Sequence, residues 1–227
     1  MKIIAVIPCL NEAAYIGDVI GKALKHVDRV LVVDDGSGDN TSEVARRAGA
    51  EVIRHDRRLG AGAATRTGFL AALREGADIV VTLDGDGQHD ANEIPVVIGP
   101  VLQGEADLVI GSRFVKPATN MPPYRSVGID IITRMYNIGS LNKISDSQSC
   151  FRSYSRKLLE MVEITRNDFG FSIELLVKAR KKGLRIVEVP ASCYYHAESS
   201  TLDPITHGLG VAWSVIKLRA AVELFNR

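Results

Sequence analysis

The sequence predicts an α/β fold, a mostly parallel sheet with helices on both faces, and three observations lead there. Continuous apolar runs of strand length recur, they lack the polar alternation of a sheet with one wet face, and segments of helical length separate them. The first run is Ile3 to Ile7, and a helix is expected from near Glu12 with Asn11 in the N-cap place. The second is Val30 to Val33, after which Thr41-Ser42-Glu43 opens a helix that Gly49 follows. The third, Val52 to Ile53, is short and precedes a helix from near Gly60 that Gly76 follows. Ile79 to Leu83 is the fourth, with a helix from near Asn92 followed by Gly104, and Leu108 to Ile110 is the fifth.

Beyond Arg113 the alternation stops. Lys116 to Tyr124 holds Pro117, Pro122 and Pro123 and reads as a loop. Ser126 to Leu141 and Phe171 to Lys182 read as helices, Arg185 to Val189 as a strand ended by Pro190, and Ile205 to Phe225 as a terminal helix. No repeat, low-complexity tract or linker divides the chain.

With 227 residues, 46% hydrophobic and 24% charged, the composition is that of a globular protein with a full core. Lys and Arg number 28 against 27 Asp and Glu, so a net charge of +1 provides no general field for nucleic acid, and none is expected as a partner. Cys9, Cys150 and Cys193 are odd in number and far apart, without zinc spacing, which favours a reduced cytoplasmic setting. Pro8, Asn11 and Glu12 cut the first apolar run short of a signal peptide, and Lys217, Arg219 and Glu223 break Leu209 to Phe225 before spanning length.

In a parallel sheet the ligand lies beyond the carboxyl ends of the strands, and polar residues cluster there. Asp84-Gly85-Asp86-Gly87-Gln88 follows the fourth run and, read as an extended chain, sets Asp84, Asp86 and Gln88 on one side. Oxygen ligands of this kind suit Mg²⁺ or Mn²⁺, and their small number leaves positions for water and a diphosphate; a solvated Asp-Gly turn is the plain alternative. Asp34-Asp35-Gly36-Ser37 offers one carboxylate more than a helix cap needs, enough to accept from a ribose hydroxyl or a base. Gly60-Ala61-Gly62-Ala63-Ala64 imitates a dinucleotide fingerprint but lacks the preceding apolar strand and the final glycine, and no Walker loop is present.

These residues resemble family 2 glycosyltransferases of the GT-A fold, and more narrowly the dolichyl-phosphate mannose or glucose synthase group. The resemblance rests on Ile7-Pro8-Cys9-Leu10-Asn11-Glu12, Val33 to Thr41, Leu59-Gly60-Ala61-Gly62, Asp84 to His89, Gly111-Ser112-Arg113, and Asp146 through Phe151-Arg152. It implies a Rossmann-like GT-A domain over 1–227, with a nucleotide-sugar half at 1–113, an acceptor half at 114–204 and a C-terminal helix at 205–227. It implies an inverting, metal-dependent transfer of a hexose from a GDP-mannose or UDP-glucose type donor to a polyprenyl or dolichyl phosphate. Position by position, Pro8, Glu12 and Asp35 would contact the nucleoside. Asp84, Asp86 and Gln88 would hold metal and diphosphate, Arg113 and Arg125 the acceptor phosphate, and Asp146 would be an active-site carboxylate, either a base or an orienting group. Cys150 and Ile129 depart from residues usual in the family, a glycine and in some members a serine.

A phosphate monoester is already largely a dianion at neutral pH, its second pKa being about 6, so such an acceptor needs positioning more than deprotonation. A soluble hydroxyl acceptor, and a sugar-nucleotide-binding protein without turnover, are the competing readings. Cys9-Leu10-Asn11-Glu12 is not the arginine-bearing glycine loop of a nucleotidyl transferase. His89 is expected to line the metal loop, while His26, His55, His196 and His207 are read as structural or solvated. Leu209, Trp213, Ile216 and Leu224 with Lys217, Arg219 and Arg227 offer a surface that either packs on the core or rests peripherally on a membrane.

Overall fold

A computed structural model describes residues 1–115 and 121–195. Five strands fall where the apolar runs predict them: β1 (Ile3–Cys9), β2 (Arg29–Asp34), β3 (Glu51–Arg54), β4 (Ile79–Thr82) and β5 (Leu108–Ser112). Between them run α1 (Ile16–Ala23), α2 (Thr41–Arg47), α3 (Ala61–Arg74) and α4 (Ile94–Leu102). The later part adds α5 (Pro123–Asn137), β6 (Arg152–Ser155), α6 (Arg156–Met161), α7 (Phe171–Lys181) and β7 (Ile186–Pro190). The expected terminal helix at 205–227, with Trp213 and Leu209, and the histidines 196 and 207 lie outside the described residues.

The strands form one sheet in the order β3-β2-β1-β4-β6-β5-β7. All neighbours are parallel except β6, which runs antiparallel to both β4 and β5. The second half therefore extends the same sheet, a correction to the reading that the alternation simply ends at Arg113. The sequence pattern missed β6 because Arg152, Ser153 and Ser155 are not apolar. They are accommodated by bonds from elsewhere in the chain: Ser153 Oγ donates to the Val97 carbonyl at 2.7 Å, and Arg152 Nη1 and Nη2 donate to the carbonyls of Ser172 and Ser147 at 3.1 and 2.8 Å.

Successive strand residues serve opposite layers, as the pleat requires. Ile4, Val6, Leu31, Val80, Leu108 and Ile110 pack under α3, α5, α6 and α7. Ala5, Ile7, Val30, Val32, Ile79, Val81 and Val109 pack under α1, α2 and α4. Each of the larger side chains, wholly removed from water, contributes about 1.5–3 kcal/mol, which is why strands buried on both faces read as unbroken apolar runs.

Two boundary expectations are corrected. Asn11 is no N-cap: helix α1 starts at Ile16, and Asn11 sits at φ 60°, its Oδ1 accepting from Gly38 N at 2.8 Å so that the loops after β1 and β2 are tied together. Pro123 opens a helix instead of forbidding one, since proline at the first helical position loses no internal hydrogen bond. Among the described residues no helix is long and apolar enough to cross a membrane.

Candidate active site

Because β1, β2, β3, β4 and β5 run in parallel, their following loops share one edge of the sheet. Pro8 lies within β1 opposite Val33 of β2, two residues before the loop that carries Glu12. Asp34 is wholly buried and organises the second loop, accepting from Ser37 N at 2.8 Å, from Ser42 Oγ, and from Arg54 Nη1 at 3.2 Å. Burial pushes its carboxyl up, but these bonds and the Arg54 charge outweigh that and hold it below the usual range. Asp35 accepts from His55 Nδ1 at 2.8 Å, Leu59 N at 2.8 Å and Gly60 N at 2.7 Å, so it fastens the third loop and the start of α3 to the end of β2. A cavity of about 590 Å³ lined by Arg54, His55, Asp56, Arg57 and Leu59 opens there, and His55 and Leu59 are Asp35's own partners.

The Asp84 to Gln88 segment is a turn, with Gly87 at φ 74°, and not the extended stretch expected. A side chain at Gly85 would put its Cβ 2.6 Å from Cys9 Sγ, so glycine lets this loop press on the end of β1. Asp86 accepts from Gln88 N at 2.9 Å and from Gln88 Nε2 at 2.7 Å. Gln88 is thus placed as the partner that orients Asp86, with its own Oε1 facing the Cys193 thiol at 3.9 Å. Enclosure and the Asp86 carboxylate push Asp84 up to about 7, and the same two causes push Glu12 up to about 7. Carboxylates that repel one another at the mouth of a sheet fit a divalent cation, whose charge removes the repulsion. Among the described residues no three His, Cys, Asp or Glu side chains close on one point, so Asp84 and Asp86 would leave an open coordination sphere.

His89 is buried behind this turn, its ring 5.4 Å from that of Phe151 and its Nδ1 3.8 Å from Asp84 Oδ2. Burial pushes its pKa down to about 4, so it is neutral at physiological pH. His55 is structural, bonding Asp35 and, through Nε2, Thr67 Oγ1 at 3.0 Å. Cys150 faces Asp84, and burial holds its thiol protonated.

Beyond β5 stands a second constellation. Arg113 donates from Nε to Asp146 Oδ2 and from Nη2 to Asp146 Oδ1, both at 2.7 Å, and from Nη1 to the Tyr195 hydroxyl at 3.2 Å. Asp146 is wholly buried and also accepts from the backbone N–H groups of Arg113, Gln148 and Ser149. Burial pushes its carboxyl up, but the Arg113 charge and these bonds outweigh that and hold it well below the usual carboxylate range. Of the two roles open to Asp146 the geometry gives the orienting one, because a carboxylate held this way is a poor proton acceptor. Glu188 on β7 secures the same loop, accepting from Ser145 N at 2.7 Å and Asp146 N at 2.8 Å. The guanidinium of Arg125, in the first turn of α5, lies 5.3 Å from the Tyr195 ring centroid. The two arginines singled out in the sequence thus meet on Tyr195, which sequence reasoning missed, as it did Glu188. A tyrosine 82 positions from its partner gives no local signal.

A sequence model of the family described as "Glycosyl transferase family 2" matches residues 4–162. A UDP-N-acetylglucosamine–dolichyl-phosphate N-acetylglucosaminyltransferase of Methanococcus voltae is 33% identical over 215 residues, covering 84% of each chain. A dolichyl-phosphate hexose transferase of Haloferax volcanii is 33% identical over 205 residues, 88% of this chain and 87% of that one. In three dimensions the chain is similar to glucosyl-3-phosphoglycerate synthase of Mycobacterium tuberculosis, determined with Mn²⁺, UDP-glucose and phosphoglyceric acid. The TM-score is 0.77 and the identity 24%, over 96% of this chain and 79% of that one.

Proposed function

The chain belongs to glycosyl transferase family 2 and is a hexosyltransferase of GT-A-like fold, and from that premise we propose that it moves a hexose from a nucleotide-diphospho-sugar to a polyprenyl phosphate with inversion. The observation that carries this reading is the Asp146–Arg113 pair. The buried carboxylate at the acceptor side is committed to an arginine and is no base, whereas two arginines converge beside it. That arrangement suits an acceptor which brings its own anionic nucleophile. Both similar archaeal enzymes are named for dolichyl-phosphate acceptors.

In this reading the loops after β1, β2 and β3 receive the nucleoside, with Pro8, Glu12 and Asp35 framing it. Asp84 and Asp86 hold Mg²⁺ or Mn²⁺ with the donor diphosphate, and Gln88 keeps Asp86 in place. When bound, the cation supplies Lewis-acid stabilisation of the departing diphosphate. Arg113 has five N–H donors, of which the bonds among the described residues use three; the remaining two, with Arg125, orient the acceptor phosphate. A phosphate oxygen attacks the anomeric carbon from the face opposite the donor. As the new C–O bond forms, the bond to the donor phosphate breaks and the nucleoside diphosphate leaves with the electron pair. No protein base is required. The enzyme works on the cytoplasmic side, peripherally at the membrane that holds its acceptor.

The test is release of UDP or GDP from a panel of nucleotide sugars with and without short-chain prenyl phosphates. Prenyl-phosphate-dependent release of one nucleotide is expected. Release that depends instead on a soluble hydroxyl acceptor, or no turnover with any donor, overturns the acceptor reading.

A further inference from the structure

Helix α5 turns an apolar row to solvent. Tyr124, Val127 and Ile131 are 56, 58 and 52% exposed, and at 100° per residue they fall within an arc of about 60°. Ile138, just past the helix end, continues the row at 64%. The opposite face, with Ile129, Ile132, Thr133 and Tyr136, is buried. The helix is therefore apolar on two sides, and only one of them has the core to pack against. Single exposed apolar residues need no account, but a row on one face does.

The place of this row decides what covers it. It begins next to Arg125, whose guanidinium shares the Tyr195 ring with Arg113's hydrogen bond to the same side chain. On the other side, Phe114 and Val115 directly follow Arg113 and are also exposed. Apolar surface thus flanks both arginines assigned to the acceptor phosphate. A polyprenyl phosphate keeps its phosphate at the bilayer surface and its hydrocarbon below, so protein surface adjoining that phosphate lies against lipid. The charges nearby agree: Arg125 and Lys143 are basic, and Asp130, the acid on the outer side of α5, is matched by Arg134 at 2.8 Å. An anionic leaflet attracts such a margin.

We propose that the outer face of α5, with Phe114 and Val115, is the surface on which this enzyme lies on an anionic lipid bilayer, and that this contact presents the lipid-linked phosphate to Arg113 and Arg125. The proposal rests on the lipid-phosphate reading given above. It assigns the docking to α5 and not to the terminal segment at 205–227.

The experiment uses the full chain, the double variant Val127→Ser/Ile131→Ser, and vesicles of phosphatidylcholine with and without phosphatidylglycerol. Both positions are exposed, so circular dichroism and the melting temperature should match wild type. Wild type is expected to sediment with the anionic vesicles, and the double variant to partition about tenfold more weakly. Transfer to a long-chain polyprenyl phosphate in vesicles should fall by a similar factor. Transfer to a short-chain, water-soluble prenyl phosphate should change by less than about twofold, because the site itself is intact. A double variant that binds vesicles like wild type overturns the proposal. So does a wild type that ignores vesicles yet glycosylates the short-chain phosphate, an outcome that leaves the acceptor reading standing. A concentration-dependent dimer that these substitutions dissolve and vesicles do not displace assigns the row to a second copy and overturns it as well. If neither phosphate is an acceptor, the acceptor reading fails and the vesicle arm alone decides the docking face.

Discussion

Asp146 grips Arg113 through two parallel hydrogen bonds of 2.7 Å, Nε to Oδ2 and Nη2 to Oδ1, with the carboxylate wholly buried and the arginine side chain 11% exposed. A planar fork bound at two points cannot swing, so the remaining Nη1 edge is held toward Tyr195 and whatever lies beyond it.

Asp146→Asn should therefore loosen Arg113 and leave a buried cation without its partner, at a stability cost of about 3–5 kcal/mol in denaturant unfolding. Asp146 has a folded pKa below its unfolded value of about 3.9, so its contribution is present above that value and is lost as pH falls through the folded one. The acid limb of the stability curve should consequently be shallower in the Asn variant. A variant as stable as wild type at neutral pH would show that the pair is not what holds this loop.

Arg125→Ala and Arg113→Lys should each reduce kcat/KM for the phosphate acceptor by about tenfold or more, while calorimetric affinity for the nucleotide changes by less than about threefold. Lysine keeps the charge of Arg113 but not its fork. Equal losses for donor and acceptor would place these side chains at the donor diphosphate.

Asp86→Ala should remove transfer, at about 3 kcal/mol or more in the barrier, with the fold intact because the turn lies outside the two core layers. Exhaustive EDTA treatment should do the same to wild type, and Mn²⁺ or Mg²⁺ should restore it. Full activity after chelation would remove the cation from the reaction.

Gly60→Ala tests the joint between the donor loops and the segment before α7. Gly60 has φ 106°, and a Cβ there would lie 2.3 Å from the Asn167 carbonyl oxygen. The backbone must move on one side or the other, so a loss of about 2–3 kcal/mol is expected, together with weaker nucleotide binding as the Gly60 N–H to Asp35 contact opens. A variant with unchanged melting temperature and nucleotide affinity would show that the joint is compliant.

The sequence by itself determined the parallel half of the sheet and the loops that carry the donor chemistry. A strand covered on both faces must be apolar at every position, so β1, β2, β4 and β5 announce themselves locally, and polar residues after such a run mark the carboxyl edge. Asp84, Asp86, Arg113 and Arg125 were legible for that reason or through family resemblance. The tertiary structure alone decided the rest. Strand β6 buries an arginine and two serines beside strands far from it in sequence, and only their partners there, such as the Val97 and Ser172 carbonyls, make that burial tolerable. Asp146 meets Arg113 across 33 positions and Tyr195 meets it across 82, and which of two roles a carboxylate plays depends on the donors that surround it. Hydrogen bonds are satisfied in space and apolar burial is written along the chain, so the core could be read in order while the acceptor side had to be folded first.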